Sequence, residues 1–240
     1  MKKTLFIIVM LLAVTLCQAQ RTYVYCVGIS DYPGTENDLP MTAPTAKKIA
    51  KLFKEHYQDV SLTTSSYATY SEITGALRRI ARQAKAGDRI IFFYSGHGYP
   101  GGLVAYDNNI PYDVLIDIFK DCKADMKLML IEACHSGSVA GGNSGSLSWS
   151  ELARDPSMVF LMSSKADEYS LGDRLMSFGM MGNALEKGLR GLGDSDKNRE
   201  ITVEELFRYI YSDVMLHSQK QQHPQLIASK SMYPMVVLSW

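Results

Sequence analysis

Two short apolar runs, each ending abruptly in polar and glycine residues, constrain the fold of this chain more than any other feature. The run IIFFY at residues 90–94 is followed by SGHG at residues 95–98, and LMLI at residues 128–131 is followed by EACHSG at residues 132–137. Apolar runs without a polar break are typical of strands buried on both faces of a parallel sheet. Such sheets place their working residues just beyond the carboxyl ends of the strands. The sequence therefore predicts one functional edge that carries a histidine and a cysteine.

His97 and Cys134 are the chemically active residues of this predicted edge. If the two strands are neighbours, a thiol and an imidazole meet there, which is what nucleophilic cysteine catalysis requires. Each residue alone has a structural explanation, because a cysteine at a strand end is commonly a small buried hydrophobe and a histidine between glycines is commonly a turn residue. Their coincidence after two similar apolar runs favours the catalytic interpretation.

The segments YSGHG at residues 94–98 and IEACHSGS at residues 131–138 resemble the histidine and cysteine boxes of the caspase-like superfamily of cysteine peptidases. This superfamily includes caspases, metacaspases and legumains, and the chain looks closest to its bacterial metacaspase-like members. The resemblance implies a three-layer α/β sandwich with a mostly parallel central sheet flanked by helices. Strand and helix patterns alternate along the chain, which predicts the same architecture from the residues themselves.

The resemblance also implies a role for each box residue. Cys134 is the expected nucleophile and His97 its general base, and the backbone N–H groups of Gly98 and Cys134 are the expected oxyanion hole. His135 also neighbours the thiol, but adjacent strand residues point to opposite faces, which favours His97 as the base. The expected reaction is hydrolysis of a peptide bond through a Cys134 acyl-enzyme, so the expected partner is a peptide or protein substrate.

The same resemblance implies a substrate pocket built from five polar residues: Ser95, Glu132, Ser163, Ser164 and Asp167. A carboxylate at Glu132 would attract arginine or lysine before the scissile bond, although legumains also carry Glu-Ala-Cys and cut after asparagine. A glutamate that is merely hydrogen-bonded to neighbouring backbone is the structural alternative. The residues Pro44-Thr45-Ala46 stand where metacaspases have Asn-Asp-Ala, so one pocket carboxylate of that family is missing.

Two other functions stay open on the sequence. A transamidase or peptide ligase would share the acyl-enzyme and differ only in using an amine, instead of water, as the acceptor. A binding protein could keep the fold without catalysis, although two intact boxes weigh against it.

Residues 1–19 form a separate unit. Lys2 and Lys3 precede the apolar run Leu5–Leu16, and Ala19 is followed by Gln20. A basic start, an apolar segment too short to span a bilayer and a small residue before the cut describe a secretory signal peptide. We expect cleavage after Ala19, a periplasmic or secreted protein without membrane attachment, and a single peptidase domain over residues 20–240. An uncleaved anchor is the alternative.

Charge and cysteine content limit the partners and the disulfides. The 25 basic and 25 acidic residues balance, which gives no reason to expect binding to nucleic acid or to an anionic membrane surface. Cys26, Cys122 and Cys134 follow the leader, and an odd count in an exported protein indicates at least one free thiol. A disulfide between Cys26 and Cys122 stays open from the sequence.

One segment follows the calcium-binding EF-hand template. Asp194, Asp196, Asn198 and Glu205 take ligand positions, but Arg199 stands where the template requires glycine. A turn followed by helix N-terminal signals explains the segment without a metal. Neither box has the paired spacing of zinc ligands. We therefore expect no cofactor, with calcium as the alternative.

The remaining expectations concern a loop and the element boundaries. Residues 138–150 are rich in glycine and serine and follow the expected nucleophile closely in the sequence. Arg154 and Lys165 lie beyond this loop. Together these features suggest that the protein cuts itself within residues 138–165. The run Met235–Leu238 is expected to close the sheet. Helices are expected at residues 42–57, 71–87, 111–122, 176–189 and 203–217.

Overall fold

A mostly parallel sheet forms the centre of the computed structural model, which describes residues 20–63, 67–133, 155–165 and 179–240. Along these residues the strands and helices follow in the order β1 (Thr22–Gly28), α1 (Thr42–Lys54), β2 (Val60–Thr63), α2 (Tyr70–Gln83), β3 (Arg89–Ser95), β4 (Gly98–Tyr99), β5 (Gly102–Val104), β6 (Asn109–Pro111), α3 (Tyr112–Phe119), β7 (Met126–Glu132), β8 (Met158–Met162), α4 (Met180–Lys187), β9 (Glu200–Thr202), α5 (Val203–His217), β10 (Gln225–Ala228) and β11 (Val236–Ser239).

The central sheet has the strand order β10-β8-β7-β3-β1-β2 within the described ranges. All neighbouring pairs are parallel except β10 with β8. The two apolar runs of the sequence become β3 and β7, and every residue of β7 is buried. Because both faces of these strands are covered, each can be apolar without alternation. The predicted α/β sandwich is confirmed.

Helices cover the two faces of the sheet with separate hydrophobic cores. On one face, Leu77 of α2 and Leu115 of α3 pack with Phe92 of β3. On the other face, Phe53 of α1 and Leu185 of α4 pack with residues such as Phe93 of β3, together with α5. Adjacent residues of β3 thus point into different cores, as the period of two along a strand requires.

The sheet is not closed by Met235–Leu238, so that prediction was wrong. The C-terminal strand β11 instead pairs antiparallel with β9 in a separate two-stranded sheet. The edge position beside β8 is taken by β10, whose residues are mostly half-buried and less apolar. An edge strand has one unpaired side and needs less apolar content, which is why its sequence signal is weak.

The sequence also left open a disulfide that the structure excludes. Cys26 and Cys122 are both free and buried, and they belong to the two different cores on opposite sides of the sheet.

The fourth predicted helix begins at Met180, and residues 176–178 lie outside the described residues. None of the helices in the described ranges combines the length and apolar character needed to cross a membrane.

Candidate active site

The two boxes leave the sheet on adjacent strands at the same edge. β3 and β7 are parallel, and Ser95 at the end of β3 pairs in register with Glu132 at the end of β7. The next N–H beyond β3, that of Gly96, donates to the Glu132 carbonyl oxygen at 3.2 Å. His97 therefore follows the last paired position of β3 by two residues, as position 134 follows that of β7. Cys134 itself lies outside the described residues, and so does His135.

The imidazole of His97 is oriented by a backbone carbonyl. Its Nε2 atom lies 2.7 Å from the carbonyl oxygen of Asn37, in the loop between β1 and α1. A carbonyl oxygen only accepts hydrogen bonds, so Nε2 carries the proton in this contact. In the neutral ring Nδ1 then has the free lone pair. This tautomer has a nitrogen that can accept a proton, which is the requirement for a general base.

Two buried tyrosines hold the backbone of His97. Its N–H donates to the hydroxyl oxygen of Tyr32 at 2.9 Å, and the Tyr94 hydroxyl lies 2.8 Å from the His97 carbonyl oxygen. The ring of Tyr32 also meets the imidazole edge-on, with the ring centroids 4.6 Å apart. Burial raises the pKa of Tyr32 to about 12 and that of Tyr94 well above its ordinary value. Both hydroxyls therefore stay protonated at neutral pH.

The glycine before His97 is explained by the same tyrosines. A Cβ atom at Gly96 would lie 2.5 Å from the Tyr94 hydroxyl oxygen and 2.6 Å from that of Tyr32. Only a residue without a side chain allows the backbone to approach so closely. Gly98, the predicted oxyanion residue, begins β4 directly after the histidine and is half-buried.

Glu132 is buried and accepts hydrogen bonds from two protein donors. Its Oε2 accepts the Ser95 hydroxyl proton at 2.9 Å, and its Oε1 accepts the N–H of Gly182 at 2.7 Å. Gly182 is the third residue of α4, so the carboxylate caps the start of that helix, where unpaired N–H groups favour negative charge. Burial raises the pKa of Glu132, and these two hydrogen bonds act in the opposite direction.

The serines after β8 lie next to the end of β7. Ser163 and Ser164 are both fully buried. The Ser163 hydroxyl accepts the N–H of Ala133 at 3.2 Å and lies 3.1 Å from the carbonyl oxygen of the same residue. The side chain of Gln222 donates to the Ser163 carbonyl oxygen at 2.7 Å. Ser163 thus holds the residue that directly precedes position 134, whereas the predicted pocket residue Asp167 lies outside the described residues.

The sequence did not identify three residues that shape this site: Tyr32, Asn37 and Gly182. Each acts through a contact with a distant part of the chain, such as the 60 residues that separate Asn37 from His97. Gly96 was the available signal, because a glycine directly before a candidate base indicates that something approaches the backbone closely.

The EF-hand-like segment is folded as a turn that leads into α5. Asp194, Asp196 and Glu205 each offer an oxygen, and these oxygens lie within 4.8 Å of one another. Arg199 has a φ of 68°, the left-handed conformation that the template gives to glycine. The Glu205 carboxylate also accepts the N–H groups of Thr202 and Ser195, and it completes a capping box with Thr202. These hydrogen bonds account for the arrangement as a helix start.

Comparisons with known proteins agree with this architecture. A family model of the caspase domain matches residues 21–233. Caspase-1 from Spodoptera frugiperda has a similar structure, with a TM-score of 0.67 and 16% identity over 89% of this chain and 90% of that chain. A protein of Geobacter sulfurreducens has a TM-score of 0.65 and 15% identity over 90% of this chain and 97% of that chain. At such identities these two structures show the fold alone. A search of curated proteins finds no match.

Proposed function

Because the chain belongs to the caspase-domain family of cysteine peptidases, we propose that it is an exported endopeptidase with Cys134 as nucleophile and His97 as general base. The observation that carries this proposal is the register of β3 and β7, in which Ser95 pairs with Glu132. His97 lies two residues beyond Ser95, and Cys134 lies two residues beyond Glu132. If the two segments stay side by side over these two residues, the imidazole and the thiol come to adjacent positions. Neighbouring strands lie about 4.8 Å apart, which is a distance that small side-chain rotations can bridge.

The proposed reaction uses groups that the sheet edge supplies. Nδ1 of His97 accepts the thiol proton, and the Cys134 sulfur attacks the substrate carbonyl carbon to form the C–S bond. The oxyanion is stabilised by the N–H groups of Gly98 and Cys134. The imidazolium then gives its proton to the leaving amine as the C–N bond breaks. Water hydrolyses the thioester and regenerates the thiol. The hydrogen bond from Nε2 to Asn37 holds the ring during both proton transfers.

For specificity we propose arginine or lysine before the scissile bond, with asparagine as the less favoured alternative. Glu132 supports this assignment because it is a carboxylate two residues before the nucleophile. A carboxylate has lone pairs for about four hydrogen bonds, and Ser95 and Gly182 use two of them. Ser163, Ser164 and Asp167 are proposed as further pocket residues.

A panel of fluorogenic peptides that differ only in the residue before the cut (Arg, Lys, Asn and Asp) tests the function directly. We expect turnover of the Arg and Lys peptides that is abolished in Cys134→Ala and in His97→Ala, with the circular dichroism spectrum unchanged. Retained turnover in either variant would reject the dyad. An added amine that appears in the product would instead indicate a transamidase. Failure of an acyloxymethyl ketone probe to label Cys134 would indicate a binding protein without catalysis.

Export and self-processing are two further parts of the proposal. The leader at residues 1–19 supports export, and N-terminal sequencing of the protein from culture fractions should begin at Gln20. The segment 138–165 with Arg154 and Lys165 supports self-processing; of it, only residues 155–165 are described. Intact masses of the wild type and Cys134→Ala should differ by a cut in this segment, and identical masses would remove self-processing.

A further inference from the structure

An open cleft lies next to His97, between the loop that follows β1 and the turn that joins β5 to β6. Its volume is about 420 Å³, and its lining includes Tyr32, Asn37, His97, Val104, Tyr106 and Asp107. The cleft thus shares the imidazole with the proposed dyad but includes neither Glu132 nor any residue of β7 or β8.

The strand order determines which part of a substrate would reach this cleft. β3, which carries His97, lies between β7 on one side and β1 on the other. Glu132 is the last residue of β7 and Ser163 directly follows β8, so the pocket for the residue before the cut lies on the β7 side. His97 must reach the leaving amine, so the chain after the scissile bond passes over the imidazole toward the β1 side. That path ends in the cleft formed by the loop after β1.

The electrostatic character of the cleft is acidic. The lining includes the exposed carboxylate of Asp107 and, among the described residues that form it, neither lysine nor arginine. Oδ1 of Asp107 accepts the N–H of Tyr70, at the start of α2, at 2.7 Å, which holds the carboxylate at the rim. Asp38 is not part of the lining, but its carboxylate accepts the N–H of Tyr32, which is, at 3.1 Å.

Aromatic rings complete the lining. Tyr106 is half-buried at the rim and is held by an edge-to-face contact with Tyr67, with the ring centroids 5.1 Å apart. A hydrogen bond to Asp31 raises the pKa of Tyr67, so a third carboxylate contacts this pair at Tyr67. Tyrosine faces attract ammonium and guanidinium groups, and the attraction increases where carboxylates lie nearby.

We propose that this cleft binds the first two residues after the scissile bond and selects a lysine or arginine side chain there. The inference rests on the proposed peptidase function and adds the substrate class on the leaving-group side. Asp107 and the ring of Tyr106 are the specificity-determining groups.

Internally quenched peptides test the cleft. They are identical up to the cut and carry lysine, glutamate or norleucine at the first or second position after it. For the wild type we expect kcat/KM to be about three- to tenfold higher with lysine than with glutamate, the range for one partly exposed ion pair plus a ring–cation contact. The ratio should fall as salt is raised, because exposed charges are screened.

Two charge-neutralising variants locate the effect. Asp107→Asn keeps an oxygen that can accept the Tyr70 N–H and should reduce the lysine-to-glutamate ratio to about one to two. Asp117→Asn removes the same charge from the exposed surface of α3 and should leave the ratio at its wild-type value. An equal or inverted ratio in the wild type, or a ratio unchanged in Asp107→Asn, would overturn the cleft assignment.

The failure of the inference and that of the proposed function are distinguishable. A short coumarin substrate has no residues after the cut and reports only the dyad and the pocket on the β7 side. If the wild type cleaves it in a Cys134-dependent manner and shows no lysine preference, the cleft assignment fails and the peptidase stands. If no substrate is cleaved, both are rejected.

Discussion

Replacing Gly182 with alanine tests whether the start of α4 is seated directly on the Glu132 carboxylate. A Cβ atom at position 182 would overlap Cγ2 of Thr45 and lie 3.1 Å and 3.4 Å from the two carboxylate oxygens of Glu132. Because Gly182 and Thr45 are buried and belong to packed helices, neither can move away freely. Such overpacking typically costs about 1–3 kcal/mol.

The helix itself partly offsets this cost. Alanine is favoured over glycine in a helix interior by about 1 kcal/mol, and by less in the first turn. We therefore expect Gly182→Ala to lower the free energy of unfolding by about 1–2 kcal/mol. Gly75→Ala, in the middle of α2, is the matched control. Its added Cβ would have only Arg79 Nη1 near it, at 3.8 Å, so we expect a gain of up to about 1 kcal/mol.

Urea unfolding of the three proteins measures these differences, provided that the slopes are equal. The variant Thr45→Ser removes Cγ2 and keeps a hydroxyl that can donate to the Met41 carbonyl oxygen, as Thr45 does at 2.8 Å. Combined with Gly182→Ala it should restore part of the loss, with a coupling of about 0.5–2 kcal/mol. If Gly182→Ala stabilises the protein as Gly75→Ala does, and shows no coupling to position 45, then Gly182 does not pack closely against Thr45 and Glu132 as described.

Three further predictions concern the site. Tyr32→Phe removes the acceptor of the His97 N–H, so the general base is less well positioned. We expect kcat to fall by about three- to tenfold while KM changes little. An unchanged kcat would contradict this role of Tyr32. Burial raises the pKa of Glu132 in the folded state above its value in the unfolded state. The protonated carboxyl group therefore stabilises the folded protein. This contribution is fully present below the unfolded-state pKa and is lost as pH rises through the folded-state pKa. Urea unfolding between about pH 4 and pH 8 should therefore show the wild type losing stability relative to Glu132→Gln as pH rises, and parallel curves would refute it. Excess EDTA should leave turnover unchanged because thiol–imidazole chemistry needs no metal; a loss that calcium restores would point to Asp194 and Glu205.

The sequence predicted the parts of this molecule that depend on local patterns. Unbroken apolar runs predicted β3 and β7, and their polar and glycine endings predicted that the edge beyond them carries the site. The sheet confirms that these two strands are neighbours. Periodic apolar residues predicted the helices, within a few residues at their ends. Alternation of strands and helices, together with the two boxes, was sufficient for the fold class.

The features that the sequence missed depend on pairing between distant segments. Met235–Leu238 is the more strand-like of the two C-terminal runs, yet β10 with its glutamine took the place beside β8, because pairing is decided by tertiary packing and not by β-propensity. Similarly, nothing near Asn37 indicates that its carbonyl oxygen orients a histidine. Gly182 has no local signature either, since its role comes from Glu132, which is 50 residues away.

The pH dependence of Cys134 alkylation tests the central claim most directly. Iodoacetamide reacts with thiolates, and Cys26 and Cys122 are buried, so peptide mass analysis can follow Cys134 separately. With His97 beside the thiol, alkylation of the wild type should titrate well below the ordinary cysteine pKa of about 8.5, and His97→Ala should return it to about that value. Identical titrations in the wild type and in His97→Ala would show that the imidazole and the thiol do not interact.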